Sequence, residues 1–153
     1  MHSANPILLL IPLAVGSVTV ICTTLIHVLP LGATVALVRR EKKLGHLGVK
    51  VRKDMGVVLR ILLYAFLAHL IEIALWAVLF VTCGEFSDFA TAYYHSAVNY
   101  TSLGYGDIIM SPTWRLLGPL ETANGMLLFG VSTAMIFAAI QRLVEARYAE
   151  FNG

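Results

Sequence analysis

Three apolar runs constrain this chain most: about Ile7 to Val38, Val57 to Cys83 and Pro119 to Ile140. About 20 apolar residues at 1.5 Å each cross the hydrocarbon layer of a bilayer, and every one of the three is long enough. The first leaves room for tilt, or for a kink near Pro30. Only 13% of the residues are charged and 58% are hydrophobic, against about 25% and about 45–50% in soluble domains. Lipid rather than water is the solvent that suits such a composition. The opening "MHSANPILLL" lacks a basic n-region, and no evident small-residue cleavage site follows, so the first run reads as a retained helix. Cys22 and Cys83 both lie in apolar runs, which argues against a disulfide framework.

Charge sets the orientation. Of eleven Lys and Arg, seven fall between Arg39 and Lys53, with the acids Glu41 and Asp54 alongside. The positive-inside rule puts this segment in the cytoplasm. The N-terminus is then expected outside, residues 84–118 outside, and the tail with Arg142 and Arg147 inside. The expected location is the plasma (inner) membrane, with the chain crossing it several times. The basic segment 39–53 has two readings. It is a solvated charge run, or, through Leu44, Leu47, Val49 and Val51, a helix on the inner face, where each base attracts anionic lipid by about 1 kcal/mol. Arg60 lies near the cytoplasmic end of its run and can snorkel.

Residues 84–118 are too apolar for a plain loop. Asp88 to Thr101, "DFATAYYHSAVNYT", can form a helix of about 20 Å, started by Ser87 or Asp88 as cap. That length reaches only part-way into a membrane. Non-helical backbone at such depth is tolerated where protein buries it or where it lines a wet cavity. A re-entrant loop is therefore expected to follow, built from "SLGYGD". A strand whose carbonyls all face one way needs alternating backbone handedness, and the left-handed positions come cheaply to glycine. Gly104 and Gly106, two apart, suit that alternation. Four such strands around one axis would stack rings of carbonyl oxygens able to replace an ion's hydration shell. The half-helix would point its partially negative end at the lumen and favour a cation.

Thr101-Ser102-Leu103-Gly104-Tyr105-Gly106-Asp107 resembles the potassium-channel signature Thr-Thr-Val-Gly-Tyr-Gly-Asp. The order helix, half-helix, signature, helix is similar to the potassium-channel pore domain from about Arg60 to Gln141. The resemblance implies an all-α membrane protein of three transmembrane helices plus a re-entrant pore helix and filter loop, assembled as a C4 homotetramer. It implies an ion-binding filter of Ser102, Leu103, Gly104, Tyr105 and Gly106, with potassium held at Ser102, Leu103, Gly104 and Tyr105. Thr101 and Asp107 support the filter. Two residues depart from the family pattern. Ser102 keeps the hydroxyl of the usual threonine but loses its methyl brace, and Leu103 adds bulk behind the filter where Val or Ile is usual. Tyr105 is retained, which by resemblance favours potassium selectivity.

Further residues carry over individually. Tyr94 and His95 stand where the family has an aromatic cuff, Tyr94 being the candidate to hydrogen-bond Asp107; both also read as ordinary packing. Gly125 and Gly130 match positions where inner helices bend, and equally suit close helix packing. Met126, Phe129 or Gly130, Thr133 and Phe137 recur at helical spacing and would line a cavity, with Phe137 a candidate constriction. Among polar residues in apolar runs, which are functional candidates by default, His69, Glu72 and Asn124 stand out. Glu72 lies eleven residues before Cys83, about 16 Å along a helix. Asn99 lies a similar distance from Asp88, so Glu72 is expected to brace the filter through Asn99 or the Tyr100 hydroxyl. His69, one turn earlier, supports the same face or forms a pH-responsive pair with Glu72.

The expected organisation is a peripheral helix at 1–38, a basic linker at 39–55, a pore domain at 56–141 and a tail at 142–153. The pore domain divides into an outer helix 57–83, a pore helix 88–101, a filter 102–107 and an inner helix 119–140. No Gly-x-Ser-x-Gly or His-Glu-x-x-His motif is present, so no enzymatic activity is expected. No cofactor other than permeant potassium and no nucleic-acid partner is expected either. The expected function is passive potassium conduction; a non-selective monovalent cation channel and a non-conducting accessory subunit are the alternatives. The first run has no arginine ladder, so voltage sensing of the usual kind is not expected. The thirteen residues from Gln141 are few for a ligand-binding domain, which leaves pH, lipid, tension or constitutive opening.

Overall fold

A computed structural model describes residues 6–47 and 51–151. Among them are four α-helices and no strand: α1 (Pro6–Lys43), α2 (Val51–Thr82), α3 (Phe89–Tyr100) and α4 (Leu117–Phe151). α1, α2 and α4 are long and apolar enough to cross a membrane. α3, with 12 residues, is not. The fold is that of an all-α membrane protein, with a short helix between its second and third spans.

The helix ends follow from local chemistry. α1 stops where Gly45 takes a φ of 63°, the His46 N–H donates to Glu41 O and the Gly45 N–H to Lys42 O, each at 3.1 Å. α2 stops in the same way at Gly84, φ 76°, with Glu85 N–H on Phe80 O and Gly84 N–H on Val81 O at 3.0 Å. Both are Schellman ends, in which glycine supplies the left-handed residue and orphan carbonyls gain partners. α4 starts at Leu117, two residues ahead of the expected Pro119. The first N–H groups of a helix lack intrahelical partners, so proline costs little there.

The basic segment forms no helix of its own among the described residues. Arg39–Lys43 close α1 and Arg52–Lys53 open α2, so α2 starts six residues before the expected Val57. Val49 and Lys50 lie outside the described residues. Arg60 turns back along α2, its Nε donating to Gly56 O at 3.1 Å and its Nη2 lying 3.6 Å from Glu41.

The chain divides into two compact units, Met1–Leu25 with Leu70–Leu128, and Ile26–His69 with Phe129–Gly153. The core of the first joins Ile73, Trp76, Ala77 and Phe80 of α2 to Ala92 and Tyr100 of α3 and to Leu117. That of the second joins Leu37, Val57, Ile61, Ala65, Met135 and Ala139. Lipid is as apolar as these side chains, so close packing and buried hydrogen bonds hold such helices together more than transfer from water does. α1 accordingly buries polar residues. Thr23 is fully buried while Leu25 is 64% exposed. In the first unit Asn124 Nδ2 donates to Thr23 Oγ1 at 2.8 Å, and the Thr23 hydroxyl donates to Val20 O at 2.9 Å. In the second, the Ser132 hydroxyl lies 3.0 Å from Nε2 of both His27 and His69.

Gly125 and Gly130 play different parts. A Cβ on Gly125 would lie 2.2 Å from Tyr100 O, whereas one on Gly130 would meet nothing within 4 Å. Gly125 is a contact point between α4 and the end of α3. Gly125→Ala is expected to destabilise the protein by about 1–3 kcal/mol through overpacking. Gly130→Ala is expected to be neutral or stabilising by up to about 1 kcal/mol, from helix propensity. Thermal denaturation of the two variants in detergent checks the contrast.

Candidate functional site

α3 is held at both ends. The Asp88 carboxylate accepts from the Thr91 N–H at 2.8 Å, the N-cap geometry of residues with extended φ and ψ. That hydrogen bond holds the Asp88 carboxyl below its ordinary value. At the other end the Ser102 N–H donates to Asn99 O at 2.9 Å and the Leu103 N–H to Val98 O at 3.0 Å. This is a third Schellman end, with Ser102 where α1 and α2 use glycine. Ser102 pays a conformational cost there, at φ 57°.

The chain then alternates. Positive φ recurs at Ser102 (57°), Gly104 (59°) and Gly106 (70°) and at neither Leu103 nor Tyr105. Both the Leu103 and the Gly104 N–H groups turn towards Val98 O, at 3.0 and 3.2 Å. In a trans peptide the carbonyl of one residue opposes the N–H of the next, and no cis bond is present among the described residues. The carbonyls of Ser102 and Leu103 therefore both point away from α3, to one side. An ordinary strand would alternate them. A Cβ on Gly104 or Gly106 would meet nothing, so backbone handedness rather than crowding requires glycine here.

Side chains from α2 and α4 brace this helix end. The Tyr100 hydroxyl donates to Glu72 Oε2. The Asn99 side chain lies 2.9 Å from His95 Nε2, and its carbonyl accepts from the Thr122 hydroxyl at 2.9 Å. Ser96 Oγ sits 2.8 Å from Ile73 O and 2.5 Å from Glu121 Oε1. Outside the strand, the Tyr94 hydroxyl donates to Asp107 Oδ2 at 2.8 Å, a bond that raises the Tyr94 phenol above its ordinary value. Glu85 clamps the returning loop, accepting from the Ser111 N–H at 2.7 Å and the Ser111 hydroxyl at 2.5 Å.

Sequence reasoning passed over Ser96, Thr122, Glu121 and Glu85. Thr122 has no signal in the sequence, and Ser96 has none apart from lying about one helical turn before Asn99. Glu121 carried one, as an acid within an apolar run. His95 packs edge-on against Phe80 at 5.5 Å and beside Phe86 at 5.0 Å. Leu103, expected to add bulk behind the strand, is 54% exposed, and Tyr105 is 65% exposed. Thr101 donates to Ala97 O at 2.7 Å. On α4, Met126, Gly130, Thr133 and Phe137 share an exposed face. Phe129 is exposed as well, and its ring lies 4.3 Å from that of His69.

Residues 68–142 match the model of a family described as ion channel. The matched span covers the second half of α2, all of α3, the alternating strand and α4 as far as Arg142. This segment is thus similar to an ion-channel family, a likeness that supports a pore of the potassium-channel type. No curated protein and no solved structure matches the chain. α1 lies outside the matched residues, and the multi-pass membrane character rests on all three apolar spans together with the match.

Two predictions follow from the pore segment's backbone and its buried ring. A β-branched residue tolerates left-handed φ poorly, so Ser102→Val is expected to cost about 1–2 kcal/mol while Ser102→Gly costs nothing or stabilises. Thermal unfolding of both variants reads this directly. Burial pushes His95 below the ordinary 6.5, against the opposing pull of Asp107 and Glu85. A lowered histidine contributes stability that is present above the ordinary value and lost as pH falls below it. Melting temperature is therefore expected to drop between about pH 8 and about pH 5, with a shallower drop in His95→Gln.

Proposed function

We propose that the protein is a potassium-selective channel, a C4 homotetramer conducting passively through a filter of Ser102 to Gly106. The carrying observation is the pair of neighbouring carbonyls, Ser102 and Leu103, turned to the same side by the alternation of φ at residues 102, 104 and 106. One strand cannot surround an ion. Four about an axis make rings of oxygens at Ser102, Leu103, Gly104 and Tyr105, each offsetting the loss of an ion's water shell, while repulsion between neighbouring ions drives exit. The exposure of Leu103 and Tyr105 in a single chain fits a segment completed by neighbouring copies. Thr101, Asp107, Tyr94, His95, Asn99, Glu72 and, through the inner ends of the same helices, His69 act as filter support. The exposed stripe of Met126, Gly130, Thr133 and Phe137 lines the cavity, with Phe137 as its constriction. Gly125 serves packing.

The basic segment 39–53 lies in the cytoplasm, the N-terminus outside and the C-terminus inside, in the plasma membrane. Potassium is cargo, and the reading calls on neither a cofactor nor a chemical step. Purified protein in liposomes is expected to pass potassium and exclude sodium, with a reversal potential that follows the potassium gradient. Equal passage of both ions supports the non-selective reading, and absence of flux supports the accessory one; either contradicts the proposal.

A further inference from the structure

Two grooves flank the C-terminal half of α4, both inside the unit of Ile26–His69 and Phe129–Gly153. They differ in charge. The groove along α2, about 640 Å³, has Asp54 and Arg147 as its charged lining residues, and these pair with each other at 2.5 Å. Its rim is neutral. The groove along α1, about 770 Å³, has an apolar floor of Leu31, Val35, Val38, Met135 and Ala138. Its rim carries Arg39 and Lys42 of α1 and Arg142 of α4 against a single acid, Glu145. Glu145 lies 3.2 Å from Arg142, so the rim keeps a surplus of two positive charges (three bases minus one acid). Arg39 and Lys42 are exposed.

Depth adds a second feature. Thr34 borders the same groove five residues, or about 7.5 Å of helix, before Arg39. It is 3% exposed, and its hydroxyl has no hydrogen-bond partner. Along α1 the groove thus runs from cations, past a hydroxyl, to an apolar wall. A glycerophospholipid has the same order of phosphate, ester and acyl chain. A neutral helix could fill the groove along α2, but it would leave three cations on the α1 rim facing apolar surface, which is costly.

We propose that the groove between α1 and α4 is a binding site for an anionic glycerophospholipid of the inner leaflet. Its phosphate sits on Arg39, Lys42 and Arg142, its acyl chain along Leu31, Val35 and Met135. Two of the three cations belong to α1, outside the residues that match the ion-channel family. The site gives that helix a role separate from conduction, and it stands whichever ion the pore selects.

Native mass spectrometry of the purified full-length protein, titrated with phosphatidylglycerol or phosphatidylcholine, tests the site. Wild type is expected to retain phosphatidylglycerol in preference. Removing the rim cations in R39Q/K42Q/R142Q is expected to weaken retention about fivefold per charge. R40Q/K43Q removes two charges from the same stretch of α1 but outside the groove, and is expected to retain the lipid as wild type does. Ala138→Phe keeps every charge and fills the floor, and is expected to lose the lipid. Equal losses from the two charge sets would mean diffuse surface attraction and overturn the site. So would full retention by Ala138→Phe. Wild type without preference for phosphatidylglycerol, as when a neighbouring subunit occupies the groove, overturns it too.

Discussion

Lipid offers no hydrogen bonds, and this constraint shapes the segment between α2 and α4. A helix of 12 residues is about 18 Å long and ends short of a bilayer's far side. Its last carbonyls and the backbone beyond them need partners supplied by protein. Those partners are particular side chains: Glu72 for the Tyr100 hydroxyl, Thr122 for Asn99 O, and Ile73 O and Glu121 for Ser96. Gly125 completes the set by having no side chain, so that the backbone of α4 can lie against Tyr100 O. α2 and α4 thus act as walls that fix the level and angle of the α3 terminus.

From that fixed terminus the handedness of the strand follows. The Schellman end turns the N–H groups of Leu103 and Gly104 back onto Val98 O, and trans peptide geometry sends the opposite carbonyls outward. The cost falls on Ser102, held left-handed at φ 57°, a conformation that disfavours L-residues by about 1–2 kcal/mol. Several buried hydrogen bonds, at about 0.5–1.5 kcal/mol each, are together large enough to hold it. Serine in place of threonine then has a backbone meaning that a reading of the hydroxyl alone misses: it is the hydroxyl residue that best tolerates the turn.

Hydropathy made the three spans legible, because a run of apolar residues leaves a chain in lipid few options. The Gly-Tyr-Gly-Asp motif located the alternating segment, and the depth match set Glu72 level with the end of α3, where it meets the Tyr100 hydroxyl. Other features were hidden for physical reasons. Thr122 follows Gly118-Pro119, where a polar residue looks like an ordinary helix start. Ser102 gives no sign in sequence of a left-handed φ, which arises from the helix end and not from the residue. Gly125 and Gly130 are alike as letters and differ only in what lies across from them. The basic segment read as one charged tract; in the fold its described residues divide between two helix ends, the C-terminus of α1 and the N-terminus of α2.

The central claim is that backbone oxygens of Ser102 to Tyr105, gathered from four copies, hold dehydrated potassium. Crystals of the assembled protein grown in thallium, which scatters anomalously in place of potassium, test it most directly. The account predicts a row of anomalous peaks on a fourfold axis, level with the carbonyls of residues 102 to 105. An axis without peaks at those levels, or strands whose carbonyls turn away from it, would contradict it.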